Sequence, residues 1–247
     1  MIISSFNLVF NGMMLLFIGL IIMFTIIFKN KSQKTKDCFM VIFGVFNILF
    51  FIAYKIALAN DDYNFVIWKE LPLQLCNINM FLFIIAVITK NKYITIFSAY
   101  VAPLGALMAL IFPDTNFTGN SIFLPRNIGF YGTHGIIFIM GILMFTLGYL
   151  KPKFKNIILL IPCAVVISFG AFLINIILTA VSNIETNYFY TMSTDGISLL
   201  DLFWKLIPVK YLYLLPAMLI LTAYVGLISL CCFGVNKIKS FIRKNDN

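Results

Sequence analysis

Seven stretches of this chain are too apolar to sit in water and long enough to cross a bilayer. They run over about 6–28, 38–59, 72–89, 93–112, 131–150, 155–181 and 209–234, near the ~20 apolar residues that carry a helix across a ~30 Å hydrocarbon core. Backbone N–H and C=O groups in lipid must pair within their own segment, so such stretches are helices. The expected fold is all-α: a polytopic bundle of seven transmembrane helices. With short connections these spans use up the 247 residues, which predicts one domain over 1–247. A hydrophobic share of 62% with only 11% charged residues excludes the soluble enzymes, where about a quarter of residues are charged. The first stretch lacks the basic start and small-residue cleavage site of a signal peptide, so it is read as a span.

Charge sets the expected orientation. Lys29, Lys31, Lys34 and Lys36 follow the first stretch, Lys90 and Lys92 the third, and Lys151, Lys153 and Lys155 the fifth. Lys237, Lys239, Arg243 and Lys244 follow the last, which puts thirteen of the 18 basic residues on one side. Asp61, Asp62, Glu70, Asp114, Glu185, Asp195 and Asp201 fall on the other. Basic loops stay in the cytoplasm. The N-terminus is therefore expected outside and the C-terminus inside, in a plasma-membrane protein. A net charge of +9 placed this way belongs to cytoplasmic loops, and nucleic acid is not an expected partner. The two longest loops, near 113–130 and 182–208, lie on the outer side, and loops longer than a connection needs often cover a site.

Polar side chains inside a membrane are costly and mark function or helix contacts. The third stretch opens Leu71-Pro72-Leu73-Gln74-Leu75-Cys76-Asn77-Ile78-Asn79. Proline suits a first helical position, so the helix is expected to start at Pro72, with Cys76 ~6 Å along its axis. Asn79 shares the face of Cys76, while Gln74 and Asn77 lie on an adjacent one. The fifth stretch opens around Tyr131-Gly132-Thr133-His134-Gly135, where the glycines admit a neighbour closely. Asn175 lies ~9 Å from the outer end of the sixth.

Cys76, His134 and Asn175 are thus expected at similar depth. Thiol and imidazole together make a nucleophile with its base, and an asparagine can orient the ring or donate to an oxyanion. Each residue also has a plainer role: cysteine as apolar filler, histidine as a structural hydrogen bonder, asparagine as interhelical glue. Cys38, Cys163, Cys231 and Cys232 are read as filler and Asn47 as glue. A single histidine and no CxxC spacing leave nothing to build a metal site, so no metal and no cofactor are expected.

The Leu-Pro-Leu-x-Leu-Cys run at 71–76, Thr133-His134-Gly135, and Asn187-Tyr188 after the sixth stretch resemble the YwaF family of bacterial integral membrane proteins. That family is related to a vertebrate transmembrane acyltransferase of ether-phospholipid remodelling. The resemblance implies a seven-helix bundle with Cys76 as nucleophile and His134 as base, and it adds Asn187 and Tyr188 to the substrate-binding or orienting set of Gln74, Asn77, Asn79, Tyr131 and Asn175. Gln74 stands where many relatives are expected to carry histidine.

Three function classes follow. The first is a cysteine-dependent phospholipid acyltransferase or acyl hydrolase acting at the outer leaflet through a thioester, with membrane phospholipid as its partner. The second is a small-molecule transporter or receptor whose outer vestibule is lined by Gln74, Asn77, Asn79, Tyr131 and His134. The third is a non-catalytic membrane protein. Lys55, the one charge clearly inside a span, is expected to snorkel outward.

Overall fold

The computed structural model describes residues 1–60, 65–113 and 115–245. Asp61, Asp62 and Asp114 of the acid pattern lie outside the described residues, as do the side chains of the tail cations Lys237, Lys239, Arg243 and Lys244.

The helices are α1 (Leu8–Phe28), α2 (Gln33–Ala59), α3 (Ile67–Glu70), α4 (Leu75–Thr89), α5 (Lys92–Ile111), α6 (Pro125–Thr146), α7 (Ile157–Ser182), α8 (Ser198–Leu206) and α9 (Leu215–Asn245). A short antiparallel ladder, β1 (Ile2–Ile3) against β2 (Asn120–Ser121), ties the N-terminus to the loop before α6. Six helices among the described residues are long and apolar enough to cross a membrane. The third stretch forms α4, an apolar helix of 15 residues, ~22 Å long against a ~30 Å core.

Several boundaries differ from the sequence expectation. Helix α4 starts at Leu75 rather than Pro72: Leu71–Gln74 form a tight turn in which Leu73 N–H reaches Leu71 O at 2.7 Å. Proline at 72 suits that turn as well as it suits a helix start. Helix α6 starts at Pro125, inside the expected 113–130 loop, with proline in its first turn. Its polar Asn127 is accommodated because Nδ2 donates to Ser121 O at 2.8 Å. The 182–208 segment is not all loop, since α8 folds within it. Lys34 and Lys36 lie on α2, whose start is capped by Ser32 accepting from Thr35 N–H.

Helix α5 is the centre of the bundle. One side, with Ala99, Ala102 and Ala106, joins the core shared with α1, α2, α4 and α6. The other, with Ile96, Phe97, Tyr100 and Val101, packs on Leu160 and Ala164 of α7 and Leu221 and Val225 of α9. The alanines of α5 allow close approach on the first side. Glycines do the same along α6: a Cβ at Gly129, Gly132 or Gly135 would run into Tyr54, Phe50 or Phe17. The space expected beside His134 is thus filled by rings from α1 and α2. Large apolar residues such as Leu15, Ile26, Ile158, Val166 and Leu219 face outward, as a lipid-facing surface requires.

The junctions α1–α2, α4–α5 and α6–α7 meet at one end of the bundle. There Asp37 accepts from Tyr149 Oη at 2.8 Å and lies 3.8 Å from Lys90 Nζ, and Lys36 Nζ donates to Leu147 O at 3.2 Å. The connections before α4, before α6 and after α7 occupy the opposite end, called the loop end below.

Candidate functional site

At the loop end, two segments far apart in sequence are bolted together. Asn175, fully buried near the end of α7, holds both backbone groups of Tyr188. Its Oδ1 accepts from Tyr188 N–H at 2.9 Å, and its Nδ2 donates to Tyr188 O at 2.9 Å and to Thr191 Oγ1 at 2.8 Å. The Tyr188 phenol is buried; it donates to Trp68 O at 2.7 Å and accepts from Leu71 N–H at 3.1 Å. Burial pushes that phenol from the ordinary 10.0 up to about 12, with the Glu70 charge adding to the rise and the Leu71 N–H opposing it. Gln74 completes the joint, its Oε1 accepting from Phe189 N–H at 3.1 Å.

The joint holds an unfavourable backbone. Phe189 and Tyr190 both have left-handed φ, 58° and 54°, which costs an L-residue ~1–2 kcal/mol each. Such geometry persists only where the surroundings over-determine it and is concentrated at functional sites. Asn187 fixes the next stretch, accepting from Met192 N–H and Ser193 N–H and donating to Ser193 O and Oγ.

These segments enclose a polar pocket of about 210 Å³, lined by Lys69, Gln74, Glu185, Asn187, Tyr188, Ser193 and Asp195. One cation and two carboxylates share it. Gln74, Asn187 and Tyr188 of the expected set therefore converge, and Asn175 supports them from below. Lys69, Glu185, Ser193 and Asp195 had no local signal beyond their charge or polarity.

Cys76 lies two residues below Gln74, in the first turn of α4 rather than its second. It is buried, and its Sγ rests against Gly105 of α5, where an added Cβ would sit 3.4 Å away. Asn77 is buried beside it. Asn79 is fully buried; its Nδ2 bonds Leu75 O at 2.8 Å, while its Oδ1 has no partner among the described residues.

His134 belongs to a different neighbourhood. Its Nδ1 lies 2.8 Å from Phe130 O. A carbonyl only accepts, so the proton sits on Nδ1 and Nε2 carries the basic lone pair. The ring leans on Phe130, which stacks on Phe117 with centroids 4.4 Å apart. Tyr131 is buried and donates to Phe117 O at 3.1 Å, anchoring the loop before α6. Of Gln74, Asn77, Asn79, Tyr131 and His134, Gln74 is the one in the lining of this pocket.

Helix α5 serves as a ruler for the thiol and imidazole. Gly141 of α6 meets Pro103, and Cys76 of α4 meets Gly105. At 1.5 Å per residue His134 lies ~10 Å loopward of Gly141 and Gly105 ~3 Å loopward of Pro103, an offset of ~7 Å along the bundle. His134 also stands ten residues into α6, farther from the helix start than the sequence suggested.

Lys55 does not snorkel freely. It pairs with Glu70 at 2.5 Å and lies over the rings of Phe51 and Tyr54, 5.1 and 4.8 Å from their centroids.

Among known proteins, the sequence model of the TMEM164 family matches residues 3–229. No curated protein and no solved structure matches the chain.

Proposed function

The chain belongs to the TMEM164 family and is a multi-pass membrane protein, and from that premise we propose that it is a cysteine-dependent phospholipid acyltransferase or acyl hydrolase of the plasma membrane. In this reading α4 with its preceding turn is a seventh crossing, the N-terminus is outside, and the pocket opens at the outer leaflet. The observation that carries the proposal is the position of Cys76: a thiol in the first turn of α4, two residues below the Gln74 wall of a strained polar pocket.

In the proposed reaction His134 Nε2 takes the Cys76 proton as Sγ attacks an ester carbonyl of a phospholipid. The S–C bond forms, the ester C–O bond breaks, and the lysolipid oxygen leaves with the proton from the imidazolium. A water or lysolipid hydroxyl then gives its proton to Nε2 and attacks the thioester, and the departing sulfur is reprotonated. The ~7 Å offset requires the two side chains to extend toward each other to hydrogen-bond reach. No metal or soluble cofactor enters this scheme.

A second reading has its own support. A pocket holding Lys69, Glu185 and Asp195 with polar walls is suited to a small zwitterionic ligand, as in a transporter or receptor.

Intact-mass analysis after incubation with mixed phospholipids separates the two. The enzyme reading expects an acyl-sized mass gain removable by hydroxylamine, absent in Cys76→Ala and slowed in His134→Ala. No adduct, with lipid composition unchanged, overturns it and leaves the ligand-binding reading.

A further inference from the structure

Helix α8 presents an apolar face that nothing among the described residues covers. Leu199, Leu202 and Leu206 are 41%, 53% and 66% exposed, and their spacing places them along one side of the helix. The other side is docked. Phe203 is buried, Trp204 packs on Tyr213 at 5.2 Å, and Asp201 accepts from Thr194 Oγ1 at 2.6 Å. Nine residues give ~13 Å, too short to cross a bilayer.

The exposed leucines continue into a lipid-facing surface. Val209, Leu212, Leu215 and Leu219, which follow within and before α9, are also exposed, and the segment from 212 onward is a candidate span. Lys205 and Lys210 are exposed beside them. We propose that α8 lies in the membrane interface, with its leucine face seated at the acyl boundary of the loop-end leaflet and Lys205 and Lys210 at the level of the lipid phosphates. Apolar faces on short helices with flanking cations bind bilayers this way, ~5–10 Å into the headgroup boundary.

The consequence reaches the pocket. Ser193 and Asp195 of its lining precede α8 by a few residues, Thr194 is bonded to it, and Tyr213 Oη donates to Ser193 O at 2.9 Å. A helix seated in the interface holds the pocket at headgroup level and forms a threshold between it and the bilayer. This inference stands apart from the thioester chemistry: α8 can lie in the interface whether or not Cys76 is ever acylated.

Trp68 and Trp204 are the two tryptophans, so the test replaces both with Phe and introduces Leu202→Trp, in phosphatidylcholine nanodiscs. Lipids brominated near the headgroup end of the acyl chain are expected to remove most of the new emission, those brominated near the chain terminus less, and aqueous iodide little. Strong iodide quenching without lipid quenching places α8 in water and overturns the proposal. Quenching by neither means that protein covers it, which overturns the proposal equally. Should the substituted protein fail to fold, hydroxyl-radical footprinting of the unaltered protein in nanodiscs reads the same question. Leu199, Leu202 and Leu206 are expected to resist oxidation in the bilayer while Lys205 and Lys210 stay accessible to a water-soluble amine label; oxidation of the leucines overturns the assignment.

Discussion

Replacing Asn175 with alanine tests whether the loop after α7 is held by one side chain. The change removes three hydrogen bonds from a fully buried position. Tyr188 O keeps Thr191 N–H and Oγ1 as donors, so only Tyr188 N–H is orphaned. An orphaned buried donor costs ~1–3 kcal/mol and each of the two bonds whose partner stays satisfied ~0.5–1.5, which sums to ~2–6 kcal/mol. That is comparable to the ~2–4 kcal/mol held in two left-handed residues, so the loop should open. Hydrogen exchange by mass spectrometry reads this locally, because opening free energy sets protection. Protection around residues 188–192 is expected to fall ~30- to 20,000-fold, at tenfold per ~1.4 kcal/mol. Central α5, whose Ile96, Phe97, Tyr100 and Val101 pack with Leu160 and Ala164, eleven or more residues before Asn175 on α7, should keep its protection. Loop protection within about twofold of the parent would refute the clamp, and equal losses in α5 would show global unfolding instead.

Two further outcomes follow from the same geometry. Tyr188→Phe removes the links to Trp68 and Leu71 and is expected to raise exchange in the 66–74 segment by ~1–3 kcal/mol of opening free energy. Because the folded phenol is raised from 10.0 to about 12, its stabilising contribution is complete below pH ~10 and is lost as pH rises toward 12; in Tyr188→Phe that alkaline loss in the loop should be absent. Gly129→Ala should lower the melting temperature more than Gly132→Ala. An added Cβ at 129 meets Tyr54 Cδ2, Cγ and Cβ at 1.9, 2.2 and 2.7 Å, so α2 must retreat, whereas at 132 it meets the outer edge of the Phe50 ring at 2.6 Å, which can rotate. Overpacking of the first kind costs ~1–3 kcal/mol, and equal melting temperatures would contradict the packing.

The membrane helices were legible because hydrocarbon imposes one rule on every residue of a span. Their ends were not, because ends answer to particular partners. Asn127 lies in the first turn of α6 through its bond to Ser121 O, and Pro72 serves the turn before α4 rather than the helix. Helix α8 is too short to register as a span, although Leu199, Leu202 and Leu206 already carry its period. The motif residues Gln74, Asn187 and Tyr188 line one pocket, and Gln74 reaches Phe189 across 115 positions of chain, a pairing with no local trace. Lys69, Glu185 and Asp195 read only as charges that set topology until the fold brought them to one pocket.

Lys55 and Glu70 show why the start of α4 depends on more than its own sequence. A lysine inside a span ordinarily carries its charge to the interface; here the carboxylate is brought to it, at the end of α3 and five residues before α4 begins. Partly buried pairs gain little net stability because desolvation offsets attraction, but removing one partner is costly, so such a pair fixes geometry. Glu70 is held to α2 through Lys55, Trp68 and Leu71 to the α7 loop through Tyr188, and Cys76 to α5 at Gly105. Three elements thus fix one short segment, which ends at the thiol. The convergence on 68–76 therefore holds Cys76 at a fixed position in the fold.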